Sequence, residues 1–192
     1  MRTLVFCALY GVSFSLLSAQ SPTVESIKDR LTVYFQATEE KDWPTVTDYL
    51  YPGLFEKVPR EDVIQQFRDL GGNGMVFNMS DYRIKTVDGP FTFEGEQYAI
   101  VGYMGKMSIQ FTSSAYHTPE MTGKLKGNFE AIYGTQAVEY DSSTHTFHVA
   151  VDKTLFAIAK TGTDQWYFME EDDQNPIISQ LIPKAVRAHF RR

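Results

Sequence analysis

The 192-residue sequence has a single cysteine, Cys7, and it lies in the first few residues. A domain formed by the rest of the chain therefore has no disulfide, no thiolate nucleophile and no thiolate metal ligand. Its stability must come from a hydrophobic core, which roughly 170 residues can supply as one domain. Basic residues are also in short supply. Eighteen Lys and Arg stand against 24 Asp and Glu, and the sequence pI is about 5.2. That balance argues against binding to a phosphate backbone, so no nucleic-acid partner is expected. No apolar run beyond the first residues has the length of about 20 that a membrane helix needs, so stable membrane insertion is not expected.

Catalytic signatures are equally sparse. Gly71-Gly72-Asn73-Gly74 has no strand before it and no Lys-Ser/Thr pair after it, so it reads as a turn and not as a phosphate loop. No nucleophile-elbow text supports a Ser-His-acid triad. Glu170-Glu171-Asp172-Asp173 lacks the alternating ligands and turn glycine of a calcium loop, and reads as a solvated charge run. His145 and His148 are three apart in an expected strand, where their side chains point to opposite faces. His117 precedes a helix and His189 lies near the tail. No metal and no cofactor are expected.

The chain begins with export grammar. Met1-Arg2 is a short basic start, residues 4–17 are nearly all apolar or small, and Ser18-Ala19-Gln20 offers a cleavage point after Ala19. Residues 1–19 are read as a signal peptide and 20–192 as a single domain, placed in the periplasm or secreted. Cleavage takes Arg2 from the 18 basic residues, leaving 17 against 24 acidic ones, a net charge of −7.

The remainder divides into helical text, then strand text. Ser21-Pro22 is a cap and first turn, and Val24, Ile27, Leu31, Tyr34 and Phe35 recur at helical spacing to about Glu40. Asp42 and Pro44 start a shorter helix that Pro52-Gly53 ends. Residues 60–70 form a third, with Val63, Ile64, Phe67 and Leu70 on one side. Period-two patterning then dominates residues 76–170. It is clearest in 97–111, where Ala99, Val101, Tyr103, Met107, Ile109 and Phe111 share one parity. The first strand, 76–87, changes phase near Asp81, and one extra residue at a bulge reconciles its two halves. Asp88-Gly89-Pro90 reads as the start of a turn. Residues 119–133 read as a helix in which Gly123 and Gly127 permit close packing, and 145–151 and 155–159 as strand material. Trp166 to Met169 read as the last strand. Two short helices, 176–181 and 184–190, end the chain.

The segments DYLYPGLFEKVPREDVIQQFRDL, FNMSDYRIKTVDG, KTLFAIAK, DQWYFME and QNPIISQLIPKAVRAHF, in this order, resemble the NTF2-like superfamily, also called SnoaL-like or cystatin-like. The similarity covers most of 22–190 and is closest in style to uncharacterised exported bacterial members. It implies an α+β fold, a cone in which a curved antiparallel sheet packs on N-terminal helices and leaves a pocket. The 119–133 helix is an insertion relative to that pattern.

The resemblance implies no single chemistry. Isomerases of the family use an aspartate base and a tyrosine or acidic proton donor in the cone. Here the corresponding candidate for a catalytic residue is Asp81, with Tyr34 and Tyr103 as ligand-binding candidates beside it. The leading expectation is a non-catalytic exported domain that binds a small apolar ligand or a protein partner. The alternative is a small-molecule isomerase or hydratase-like enzyme using an acidic residue in the cone. A homodimer through the sheet is a further expectation. Tyr98, Ile100 and Met104 make the face opposite Ala99 and Val101 apolar too, and such a face needs a partner or a cover, for which the 119–133 helix is the candidate.

Overall fold

A computed structural model describes residues 21–72, 74–172 and 175–191; the expected signal peptide lies outside them. The fold is α+β, with N-terminal helices, a curved and unclosed antiparallel sheet, and short C-terminal helices. Helix α1 (Pro22–Glu40) starts where the Ser21 hydroxyl accepts from the Val24 N–H, and α2 (Trp43–Tyr49) where the Asp42 carboxylate accepts from Thr45. A 3-10 turn, Pro52–Glu56, leads to α3 (Arg60–Asp69). Strands β1 (Met75–Phe93) and β2 (Glu96–Phe111) follow, then α4 (Pro119–Tyr133), β3 (Val138–Asp141), β4 (Thr146–Lys160) and β5 (Tyr167–Glu170). Helices α5 (Pro176–Leu181) and α6 (Lys184–Phe190) complete the chain.

The sheet order is β1-β2-β4-β3, with β5 sharing the far edge of β4. Strand β3 pairs with the first part of β4 and β5 with the last part. The free side of β5 is partly closed by the segment after α2, where the Tyr51 N–H donates to the Phe168 carbonyl at 3.0 Å.

The bulge at Asp81 is present. Ser80 pairs with Lys106 and Arg83 with Met104, so Asp81 and Tyr82 together oppose Gly105. Asp81 takes a left-handed φ of 58°. The phase shift lets Phe77 and Met79 share the inner face with Ile84 despite their opposite parity. The turn expected at Asp88-Gly89-Pro90 is instead a bend inside one long strand. Gly89 has φ 126°, and a Cβ there would lie 2.9 Å from the Tyr98 carbonyl oxygen. Only glycine lets the strand pass that close to β2.

The inner face of the sheet packs on α1. Ile27 and Leu31 meet Ala99, Val101, Leu155, Ala157, Trp166 and Phe168, all fully or almost fully buried. The outer face carries a second core. Tyr98, Phe156, Ile158 and Met169 are covered by Ile182 and by Val186 of α6. The expected cover, α4, does something else. Leu125, Phe129 and Tyr133 join the inner core, and Phe129 packs on Phe147. Gly123 and Gly127 face open space, so the close packing expected of them is absent.

Strand β4 runs without a register shift through Asp152-Lys153, but it begins at Thr146. His145 sits before it in a turn at φ 54°, stacked on the His117 ring at 3.6 Å. His148 is exposed opposite Ser108. Among the described residues no helix is long and apolar enough to cross a membrane.

Candidate functional site

Strand pairing fixes what points into the concavity. Tyr103 faces Lys153 across the β2–β4 ladder, and Glu170 faces Leu155 across β4–β5. Facing residues in an antiparallel pair share a side of the sheet. Val101 and Leu155, Phe168 and Ala157 are inner-core residues, so Tyr103, Lys153 and Glu170 continue the inner face toward its open end.

There the elements leave a cavity of about 500 Å³. Helix α1 contributes Tyr34 and Thr38, and α2 contributes Trp43. Leu54 and Val58 come from the connector, and Val63, Gln66 and Phe67 from α3. Strand β1 contributes Phe77, Met79 and Tyr82, and α5 contributes Ile177 and Ile178. Most of this wall is hydrocarbon or aromatic. Trp43 stacks on Phe67 with centroids 5.1 Å apart, and Tyr82 stacks on Phe35 at 4.2 Å. These contacts fix the rings as parts of a wall rather than as loose side chains.

Glu170 is the polar centre. The Tyr103 hydroxyl donates to Glu170 Oε1 at 2.6 Å. Burial raises the carboxyl's pKa to about 7, outweighing the Tyr103 hydrogen bond and the positive charge of Lys153, which both pull it down; Asp172 adds to the rise. The phenols around it respond in turn. Burial first, and the charge of Glu170 second, hold the Tyr34, Tyr82, Tyr103 and Tyr133 hydroxyls above the ordinary tyrosine range. All four are therefore hydrogen-bond donors at neutral pH and not phenolates. Lys153 does not form an ion pair with Glu170; its ammonium lies 5.1 Å from the centre of the Tyr133 ring.

The structure brings two of the three sequence candidates together. Tyr34 and Tyr103 both line the cavity. Asp81 does not. Its left-handed bulge conformation turns it to the outer face, where it is exposed and its carboxylate meets Lys106 Nζ at 2.7 Å. That ion pair holds its carboxyl below the usual range, opposite to the shift of a poised base. Glu170 is the acidic residue at the cavity, not a member of a solvated acidic run. The missed signal was parity. Trp166 and Phe168 are inward and buried, so the next residue of that phase is Glu170.

Among the described residues, no group of three or more His, Cys, Asp or Glu side chains is arranged to hold a metal ion. Compared with known proteins, the chain matches no family model and no curated protein sequence.

Proposed function

We propose that this chain is an exported, NTF2-like domain that binds a small, largely apolar ligand in the cavity and orients it through the Tyr103–Glu170 pair. The cavity itself carries the reading. It has the size and composition of a small-molecule site, apolar walls with a few fixed polar groups. The order of three helices and then a curved antiparallel sheet supports the superfamily assignment. Export rests on residues 1–19, and intact-mass measurement of the located protein should give an N-terminus near Gln20; a retained Met1 would contradict it.

The cavity reading has a direct test. Nile red, a neutral dye that brightens in apolar surroundings, should saturate at one dye per chain. Leu54 lies in the cavity wall and is only half-buried, so Leu54→Trp places an indole in the ligand's space. The variant should keep the wild-type thermal transition and lose dye affinity by roughly tenfold or more, about 1.4 kcal/mol. Undiminished binding by a folded Leu54→Trp variant would place the dye elsewhere and remove the reading.

A second reading uses the same carboxyl for proton transfer. Its support is the 2.6 Å Tyr103 contact together with a pKa near 7, which lets one group both take and return a proton. The reaction would be an isomerisation or dehydration of the bound molecule. Once a substrate is found, Glu170→Gln should abolish turnover even at saturating substrate. Retained turnover removes Glu170 as the acid–base group.

A further inference from the structure

We infer that the ligand is an amine or another organic cation, its positive group seated at Glu170 and its hydrocarbon body against the aromatic wall. This rests on the ligand-binding reading above and adds the charge of what binds. Three observations point the same way. Among the described residues that line the cavity, Glu170 is the one charged side chain; no Lys, Arg or His joins it. Its carboxylate has a phenol for a partner but takes part in none of the ion pairs formed between described residues. The same wall carries six aromatic rings, those of Tyr34, Trp43, Phe67, Phe77, Tyr82 and Tyr103.

A half-buried carboxylate without a cation is costly, and here the cost is relieved by taking up a proton near neutral pH. An ammonium group relieves it better. It donates to the carboxylate oxygens and offers its remaining positive edge to ring faces. An anionic ligand meets the opposite situation: it lies beside a like charge, with no cation among the described residues that line the cavity. A neutral alcohol can accept from Tyr103 or bond to Glu170, but it gains nothing from the carboxylate's charge.

The groups facing Glu170 come from every neighbouring element. They are Tyr34 on α1, Tyr82 on β1, Tyr103 on β2, Tyr133 on α4, Lys153 on β4 and Asp172 just beyond β5. Among the described groups that act on Glu170, Lys153 is the one cation. It is engaged over the Tyr133 ring, and its pull is already included in a carboxyl that still titrates near neutrality. An ammonium ligand needs the ionised carboxylate, so its affinity should rise with pH until Glu170 has ionised.

The probes are naphthylethylamine, naphthylethanol and naphthylacetate, which share one apolar body and differ in charge. Calorimetric titration at about pH 8 should give an amine affinity at least about tenfold above the alcohol's, with no measurable naphthylacetate binding. At about pH 5.5 the amine should lose roughly tenfold or more, because binding must then displace a proton from Glu170. The alcohol should change little. Glu170→Gln should bring amine and alcohol to similar affinities and flatten the amine's pH dependence. The wild-type pH profile serves even if that variant folds poorly. An alcohol that binds as tightly as the amine at about pH 8, or an amine affinity flat with pH, overturns the cation assignment and leaves apolar binding standing. Failure of all three probes and of Nile red overturns both.

Discussion

Replacing Glu170 with glutamine should make the protein more stable at alkaline pH and remove a slope from its stability profile. An unfolded glutamate titrates near 4.5, and in the folded chain burial moves that midpoint to about 7. Between those two values the folded state holds a proton that the unfolded state has released. Stability attributable to this group therefore falls as pH rises from about 4.5 through 7, and the loss is complete above it. A midpoint displaced that far corresponds to on the order of 3 kcal/mol. Glutamine keeps the volume and a hydrogen-bonding oxygen for Tyr103 without the charge. Urea midpoints of the two proteins should lie close together at about pH 5 and separate at about pH 8, with Glu170→Gln the more stable. The difference between the two profiles isolates this residue from every other titrating group. A constant difference across that range, or a less stable variant at the alkaline end, would count against a desolvated carboxyl.

The second large effect concerns the outer face. Val186 on α6 is 0 % exposed, and with Ile182 it covers Tyr98, Phe156 and Ile158. Val186→Asp removes the apolar contact, worth roughly 1.5–3 kcal/mol, and asks the site to bury a carboxylate as well. A helix of seven residues has little intrinsic stability with which to resist, so α6 should detach. The variant should lose at least about 3 kcal/mol or undergo an early partial transition. The uncovered aromatic and aliphatic surface should then associate. Light scattering at micromolar concentrations should find the wild-type chain monomeric and the Val186→Asp chain in larger species. A variant as stable and as monomeric as wild type would mean that α6 does not hold this cover.

That second core also shows what local sequence can and cannot convey. The helix starts at Ser21 and Asp42 are short-range signals, and the helices they begin form where expected. The phase change at Asp81 located the bulge, because period-two patterning records every inserted residue. The apolar residues Tyr98 and Ile100 announced that the outer face needs a cover, which motivated both a dimer and α4 as candidates. Which segment supplies it is a long-range matter. Helix α6 lies far along the chain from Tyr98, and its amphipathic pattern is too short to advertise a partner. With that face covered from within the chain, the case for a dimer through the sheet loses its motive. Met104, 39 % exposed, is the part left open.

The candidate site was legible in part for the same reason. Tyr34 and Tyr103, candidates through the family resemblance, occupy inward positions of a helix and a strand, and both line the cavity. Glu170 was hidden by a boundary. The strand extends one residue past Met169 because Leu155 offers a pairing partner, which is invisible along the chain. Read together with Glu171, Asp172 and Asp173, the residue looks like solvent-facing charge. Read with Trp166 and Phe168, it is the next inward position. Asp81 was the reverse case: the bulge that makes it conspicuous also turns it away from the cavity and toward Lys106.

The proposed ligand site depends most on the state of one carboxyl, and that can be observed without a ligand. Carbon-detected NMR of protein labelled at the glutamate side-chain carboxyl follows Glu170 through a pH titration, with Glu170→Gln used to assign the signal. A carboxyl enclosed by the cavity should show a midpoint at about 7. A midpoint near the ordinary 4.5 would mean a carboxylate in contact with bulk water, and would contradict the desolvated Tyr103–Glu170 centre on which the site is built.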